Sequence, residues 1–162
     1  MTKLRKLTAL LLAGALTLLL LTACSGGGGS SGPEAQAEAE VMGAIRSNPS
    51  TASLKYDDGM CNIAKETLAK ADLDADLKGS IGGYKFYNDV KYDKETSTLT
   101  LIAQYDYKDT TLEELIGYIT KNNVASNLKF NLSSNRAKVG VAAKIYNGKT
   151  YIAITLQAVK KT

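Results

Sequence analysis

The chain has 162 residues, 20 Lys and Arg against 16 Asp and Glu, two cysteines, and neither histidine nor tryptophan. Lys3, Arg5 and Lys6 supply three of the four net positive charges and no acid lies before residue 24, so the remainder stands near +1; with Lys160-Lys161 as its most basic stretch, that balance excludes a nucleic-acid patch. The missing imidazole removes the commonest general base and metal ligand, and the missing indole removes one common carbohydrate platform.

After the basic start, Leu7 to Leu21 is almost continuously apolar. That layout is a secretory signal, and the run is shorter than the ~20 residues of a comfortable bilayer span. Leu21-Thr22-Ala23-Cys24 resembles the bacterial lipoprotein box, in which diacylglycerol is attached to the cysteine thiol and cleavage leaves that cysteine first. The alternative is an uncleaved membrane helix with an incidental cysteine. Ser25 to Gly32 reads as a Gly/Ser coil that holds a domain away from a bilayer. It is not a phosphate loop, because Pro33-Glu34 stands where Lys-Ser/Thr is needed. The expected organisation is a lipoprotein signal peptide over 1–23, a lipidated cysteine and tether over 24–33, and a single domain over 34–162.

Glu34 to Arg46 reads as a helix. Pro33 suits its first turn, and Val41, Met42 and Ile45 form a small apolar face. Ser47-Asn48-Pro49 ends it. Asp57 to Ala71 reads as a second helix, capped by Asp57 or Asp58, with Met60, Ile63, Ala64, Leu68 and Ala71 at three- and four-residue spacing. Cys61 sits on the shoulder of that face and reads as a core thiol. With Cys24 acylated it has no internal disulfide partner, and with no histidine it has no obvious base to make it a nucleophile. The acidic run from Asp72 to Asp76 starts like a calcium loop but fails at position six, Leu77, and position twelve, Gly83. It reads as a solvated loop.

Tyr84 to Tyr92 and Thr98 to Tyr107 read as strands of a hairpin, with Leu99, Leu101, Ala103 and Tyr105 alternating against Thr100, Ile102 and Gln104. Thr111 to Lys121 reads as a third helix, opened by a Thr111/Glu114 capping box. Val124 to Ala137 reads as loop, with Leu128, Phe130 and Leu132 tucked inward. The acid pairs Asp57-Asp58 and Glu113-Glu114 both fall at helix starts, where capping and dipole compensation account for them.

The terminal stretch from Val139 to Leu156 carries Asn147-Gly148, suited to the central positions of a type I′ turn. That turn sets Ile145 opposite Thr150, Ala143 opposite Ile152, Val141 opposite Ile154 and Val139 opposite Leu156, forming one apolar core face. Gly140, Ala142, Ala153 and Thr155 make the other face small enough for close helix packing. Two buried faces imply an α+β fold, a three-layer α-β-α sandwich with a mainly antiparallel sheet and a C-terminal β-hairpin.

Two stretches, Val41 to Asp72 and Tyr105 to Ile154, resemble the CAP superfamily (cysteine-rich secretory, antigen 5 and pathogenesis-related 1 proteins). The former is similar to the family's opening helix, its Tyr-Asp step at Tyr56-Asp57 and its alanine-rich following helix; the latter is similar to its later helix and final hairpin. The resemblance implies the sandwich fold. It does not bring the family's metal cavity, which uses two histidines and two acids. Ala103-Gln104-Tyr105 lies where the Gly-Glu-Asn signature would fall, and Ser126-Asn127 lies near the expected position of the other histidine.

The sequence therefore points to a non-catalytic, lipid-anchored protein on the extracytoplasmic side of a bacterial envelope, binding or structural in role, with no metal or cofactor. Its membrane partner is reached through diacylglycerol on Cys24. Tyr84, Tyr87, Tyr92, Tyr105 and Tyr107 are candidates for a contact surface toward an envelope protein, glycan or small lipid, since tyrosine joins apolar area to a hydroxyl. Strand packing is the plainer reading of the same five residues. The alternative functions are a small-ligand or lipid-binding module, with a cavity between Tyr105, Tyr118 and Ser126, and a carboxylate-dependent envelope hydrolase, which needs two acids converging in one cleft.

Overall fold

The computed structural model describes residues 32–81, 84–105, 117, 130–131 and 136–160. Helix α1 (Pro33–Ser47) has its proline at the start, Glu34 in its first turn and Arg46 in its last, all favourable to the helix dipole. Asn48 closes it by donating its N–H to the Ala44 carbonyl. The chain then turns on Thr51, whose buried hydroxyl donates to the Ile45 carbonyl at 2.7 Å. A two-residue strand β1 (Lys55–Tyr56) leads into helix α2 (Asp58–Lys70). Asp57 is the cap: one carboxylate oxygen accepts from Met60 N at 3.1 Å and the other meets Lys138 Nζ at 2.8 Å. The Lys138 contact is the main reason its carboxyl lies below the usual range.

Strands β2 (Gly79–Ile81), β3 (Tyr84–Tyr92), β4 (Thr96–Tyr105), β5 (Phe130–Asn131), β6 (Lys138–Tyr146) and β7 (Lys149–Lys160) complete the described elements. The sheet order is β1-β6-β7-β4-β3-β2, with β5 also pairing β7. β1 runs parallel to β6 and the other pairs are antiparallel, so the fold is α+β with a mixed sheet.

The β6–β7 register is the one the turn dictates, from Ile145↔Thr150 to Val139↔Leu156. Asn147 and Gly148 both take positive φ, 50° and 71°, which a type I′ connection requires. α1 lays Ala37, Val41, Met42 and Ile45 on Leu99, Leu101, Val139, Val141, Ile152, Ile154 and Leu156. On the opposite face, Ala64 and Leu68 of α2 meet Ile102, Ala142 and Ala153. That face is smooth because its residues are small. A Cβ at Gly140 would fall on the backbone of Met60 and Cys61, and the buried Thr100 and Thr155 hydroxyls satisfy each other at 3.0 Å.

Four sequence expectations change. Ile145, assigned to the core face, is 42 % exposed, because it stands past Ala143, which packs against the α1-side core. Cys61 is buried but disulfide-bonded rather than a core thiol. β4 begins at Thr96, since the turn is closed earlier by Asp93 N to the Thr96 carbonyl. Phe130–Asn131, read as loop, is a short strand that continues the edge of β7 where β6 has not yet begun. Of the third helix only Gly117 is described, and it is helical; the remainder of Thr111 to Lys121, with Leu128, Leu132, Tyr118 and Ser126, lies outside the described residues.

Candidate functional site

α2 covers β6 and β7 but stops short of β3. The gap is a cleft of about 340 Å³ between the C-terminal half of α2 and the outer strands. Along β3, Tyr87, Asp89 and Lys91 alternate onto this face, with Thr100 opposite Asp89 and Thr98 opposite Lys91 on β4. Glu66 and Lys70 reach it from α2, and Asp76 from the turn that follows. Two ion pairs lie along its walls, Lys70–Glu66 at 3.6 Å and Lys91–Asp89 at 3.9 Å. Both are solvated and worth only ~0–1 kcal/mol, so an incoming polar molecule displaces them at little cost. Burial pushes the Tyr87 phenol above its ordinary value, helped by the charges of Asp89 and Asp76. It therefore remains a neutral hydroxyl donor at any physiological pH.

The turn carrying Asp76 explains the acidic run. Asp72 accepts from the backbone N–H groups of Asp74 and Ala75, and Asp76 accepts from Asp72 N at 2.9 Å. These carboxylates are folded onto their own loop. Among the described residues no three Asp, Glu, Cys or His side chains gather to hold a metal ion. A further cleft on the same face, about 270 Å³, lies at the other end of the strands, where Lys85, Gln104 and Lys149 surround Tyr151.

The five tyrosines proposed as a contact surface do not share one. Tyr87 lies on the α2 face, half-buried at the cleft. Tyr105 is buried on the α1 face, and its hydroxyl donates to Glu40 Oε2 at 2.7 Å. Tyr92 is 63 % exposed at the far end of β3. The Tyr84 side chain and Tyr107 lie outside the described residues. Strand alternation separates Tyr87 from Tyr105, an effect that grouping by residue type conceals.

Another arrangement escaped the sequence reading altogether. β1 covers β6 only at Lys138 and Val139, which leaves the upper edge of β6 without a neighbouring strand among the described residues. Two carboxylates of α1 take its place. Glu38 Oε1 accepts from Ala143 N at 2.9 Å, and Glu34 Oε1 accepts from Ile145 N at 2.7 Å. Four helical residues rise ~6 Å and two strand residues ~6.8 Å, so one helical turn matches one repeat of the edge. Each such bond contributes ~1 kcal/mol, against ~1.5–3 kcal/mol for each fully buried Val, Ile or Met. The apolar face docks α1; the carboxylates set its register and blunt a strand edge. Glu38 is buried, and burial raises its carboxyl above the ordinary value despite the opposing Ala143 hydrogen bond and Lys65 charge; Glu34 adds to the rise. The available signal was the four-residue spacing of Glu34 and Glu38 ahead of the apolar stripe.

No protein-family model matches the chain, and neither a curated protein nor a solved structure matches it.

Proposed function

We propose that this chain is a lipid-anchored protein of the bacterial envelope, facing away from the cytoplasm and acting as a non-catalytic binding or structural module. One observation carries the reading: a basic start, an apolar run, Leu21-Thr22-Ala23-Cys24 and a Gly/Ser tract follow in unbroken order and lead straight into α1. Among the described residues no helix is long and apolar enough to cross a membrane. The domain is a three-layer α-β-α sandwich of CAP type. In support, α1 and α2 lie on opposite faces of the sheet and the terminal hairpin strand β7 lies between β6 and β4.

The disulfide of Cys61 bears on the anchor, because Cys24 is the chain's one other cysteine. The bridged form and the lipidated form exclude each other in one molecule, so the proposed acylation of Cys24 leaves Cys61 as a buried thiol. Intact mass of the native protein separates them, as a diacylglycerol adduct or as a loss of two hydrogens. Cys24→Ala is expected to remove the diacylglycerol adduct and to leave residues 1–23 attached. A native protein that keeps Met1 and carries no lipid on Cys24 defeats the proposal.

The cleft between α2 and β3 favours another reading, a module for a small polar ligand. Its hydroxyls and displaceable ion pairs offer donors, acceptors and both signs of charge in one place. A screen of amino sugars and amino acids by NMR is expected to move the amides of Tyr87, Asp89 and Thr100, and Tyr87→Ala is expected to weaken binding at least about tenfold. Shifts confined to other residues eliminate the cleft.

A further inference from the structure

The segment from Cys24 enters the domain at one particular end of the sheet. Glu34, the second residue of α1, holds Ile145 N at 2.7 Å, so the first turn of the helix is fixed beside the β6–β7 turn. That turn carries Lys144, Ile145, Tyr146 and Lys149. Ile145 is one of two large hydrophobic side chains exposed among the described residues. Lys144 Nζ stands 5.9 Å from the centre of the Tyr146 ring, and Lys149 is exposed. Three acids stand near the turn: Glu34 accepts from Ile145 N, Asp74 accepts from the Tyr146 hydroxyl at 2.9 Å, and the charge of Asp72 is also felt at that hydroxyl.

We propose that the β6–β7 turn rests on an anionic lipid surface and orients the domain there, on the reading that Cys24 carries the lipid. Reach selects this end of the molecule. Ser25 to Gly32 is eight residues, a length that spans ~15 Å as a Gly/Ser coil and at most ~30 Å when drawn straight. The opposite end of β6 lies a further ~30 Å away. Among the described residues the turn is thus the part that meets the bilayer first. Its chemistry suits that meeting. Two ammonium groups attract lipid phosphates, and an exposed isoleucine at the end of the strand enters the headgroup boundary. Two lysines are too few to hold a protein on a membrane alone. They are enough to choose which side of an already anchored domain faces it.

The test uses the full processed protein in vesicles of phosphatidylcholine, alone or with about a third phosphatidylglycerol. Flotation reads the anchor and amide exchange reads the turn. Anchored protein is expected to float with both vesicle types. Exchange at Ile145 to Lys149 is expected to slow by about tenfold on the anionic vesicles alone, and the slowing is expected to vanish at high salt. K144E/K149E is expected to abolish the slowing without changing flotation. Protein that floats yet exchanges equally on both vesicles overturns this inference and leaves the anchor standing. Protein that fails to float overturns the anchor and this inference with it.

Discussion

Gly140→Val is expected to destabilise the domain by about 3 kcal/mol or more. The cause is backbone against backbone. A Cβ at residue 140 would meet the peptide joining Met60 to Cys61 and lie 2.7 Å from the Cys61 Cα. No rotamer change relieves that contact, so the whole first turn of α2 must lift. Lifting it strains the Asp57 cap and its bridge to Lys138, both fixed at the same turn. Gly140→Ala carries the same contact, and the ~0.5–1 kcal/mol gained by removing a strand glycine is too small to offset it. Gly43→Ala is the opposite case. It lies inside α1 with nothing within 4 Å of an added Cβ, and it is expected to stabilise by ~0.5–1 kcal/mol. Urea midpoints of the three variants check both signs. A Gly140→Val protein as stable as the parent would show that α2 does not lie on β6 as described.

Glu38 is expected to separate hydrogen bonding from charge. Glu38→Ala leaves the Ala143 N–H without its acceptor at a partly buried strand edge, a loss of about 1–2 kcal/mol. Glu38→Gln keeps an acceptor oxygen and removes a buried negative charge, so it is expected to equal or exceed the parent at neutral pH. The pH dependence follows from the raised carboxyl. The folded state holds this proton more tightly than the unfolded chain does, whose carboxyl sits near 4.5. The associated stability is complete below that value and is lost as pH rises through the higher folded value. Denaturation midpoints measured between about pH 4 and 7 should therefore fall more steeply for the parent than for Glu38→Gln. Parallel profiles for the two proteins would remove Glu38 from the account.

The terminal hairpin was the most legible part of the chain. Asn147-Gly148 and the alternation on either side specify one register, and small residues at 140, 142 and 153 announce a closely packed helix. Both helices were legible from their caps and stripes. Ile145 was misplaced because strand alternation records which face a residue points to, not where along the strand the core ends. The cleft was hidden because Tyr87, Asp89 and Lys91 acquire a common purpose only once α2 is known to stop short of β3. The carboxylate contacts of α1 were hidden for a related reason: a free strand edge exists only after strand order is known, and β1 is two residues long. The disulfide of Cys61 could not follow from a reading that had already committed Cys24 to lipid.

The position of β7 has a consequence for how such a chain is delivered. β7 joins β6 to β4, and its Thr155 meets Thr100 across 55 residues. Until residues 149–160 emerge, β4 has β3 on one side alone, β6 has no long partner, and neither helix has a finished surface to settle on. On the proposed export route, a polypeptide organised in this way stays threadable until its last strand has cleared the pore.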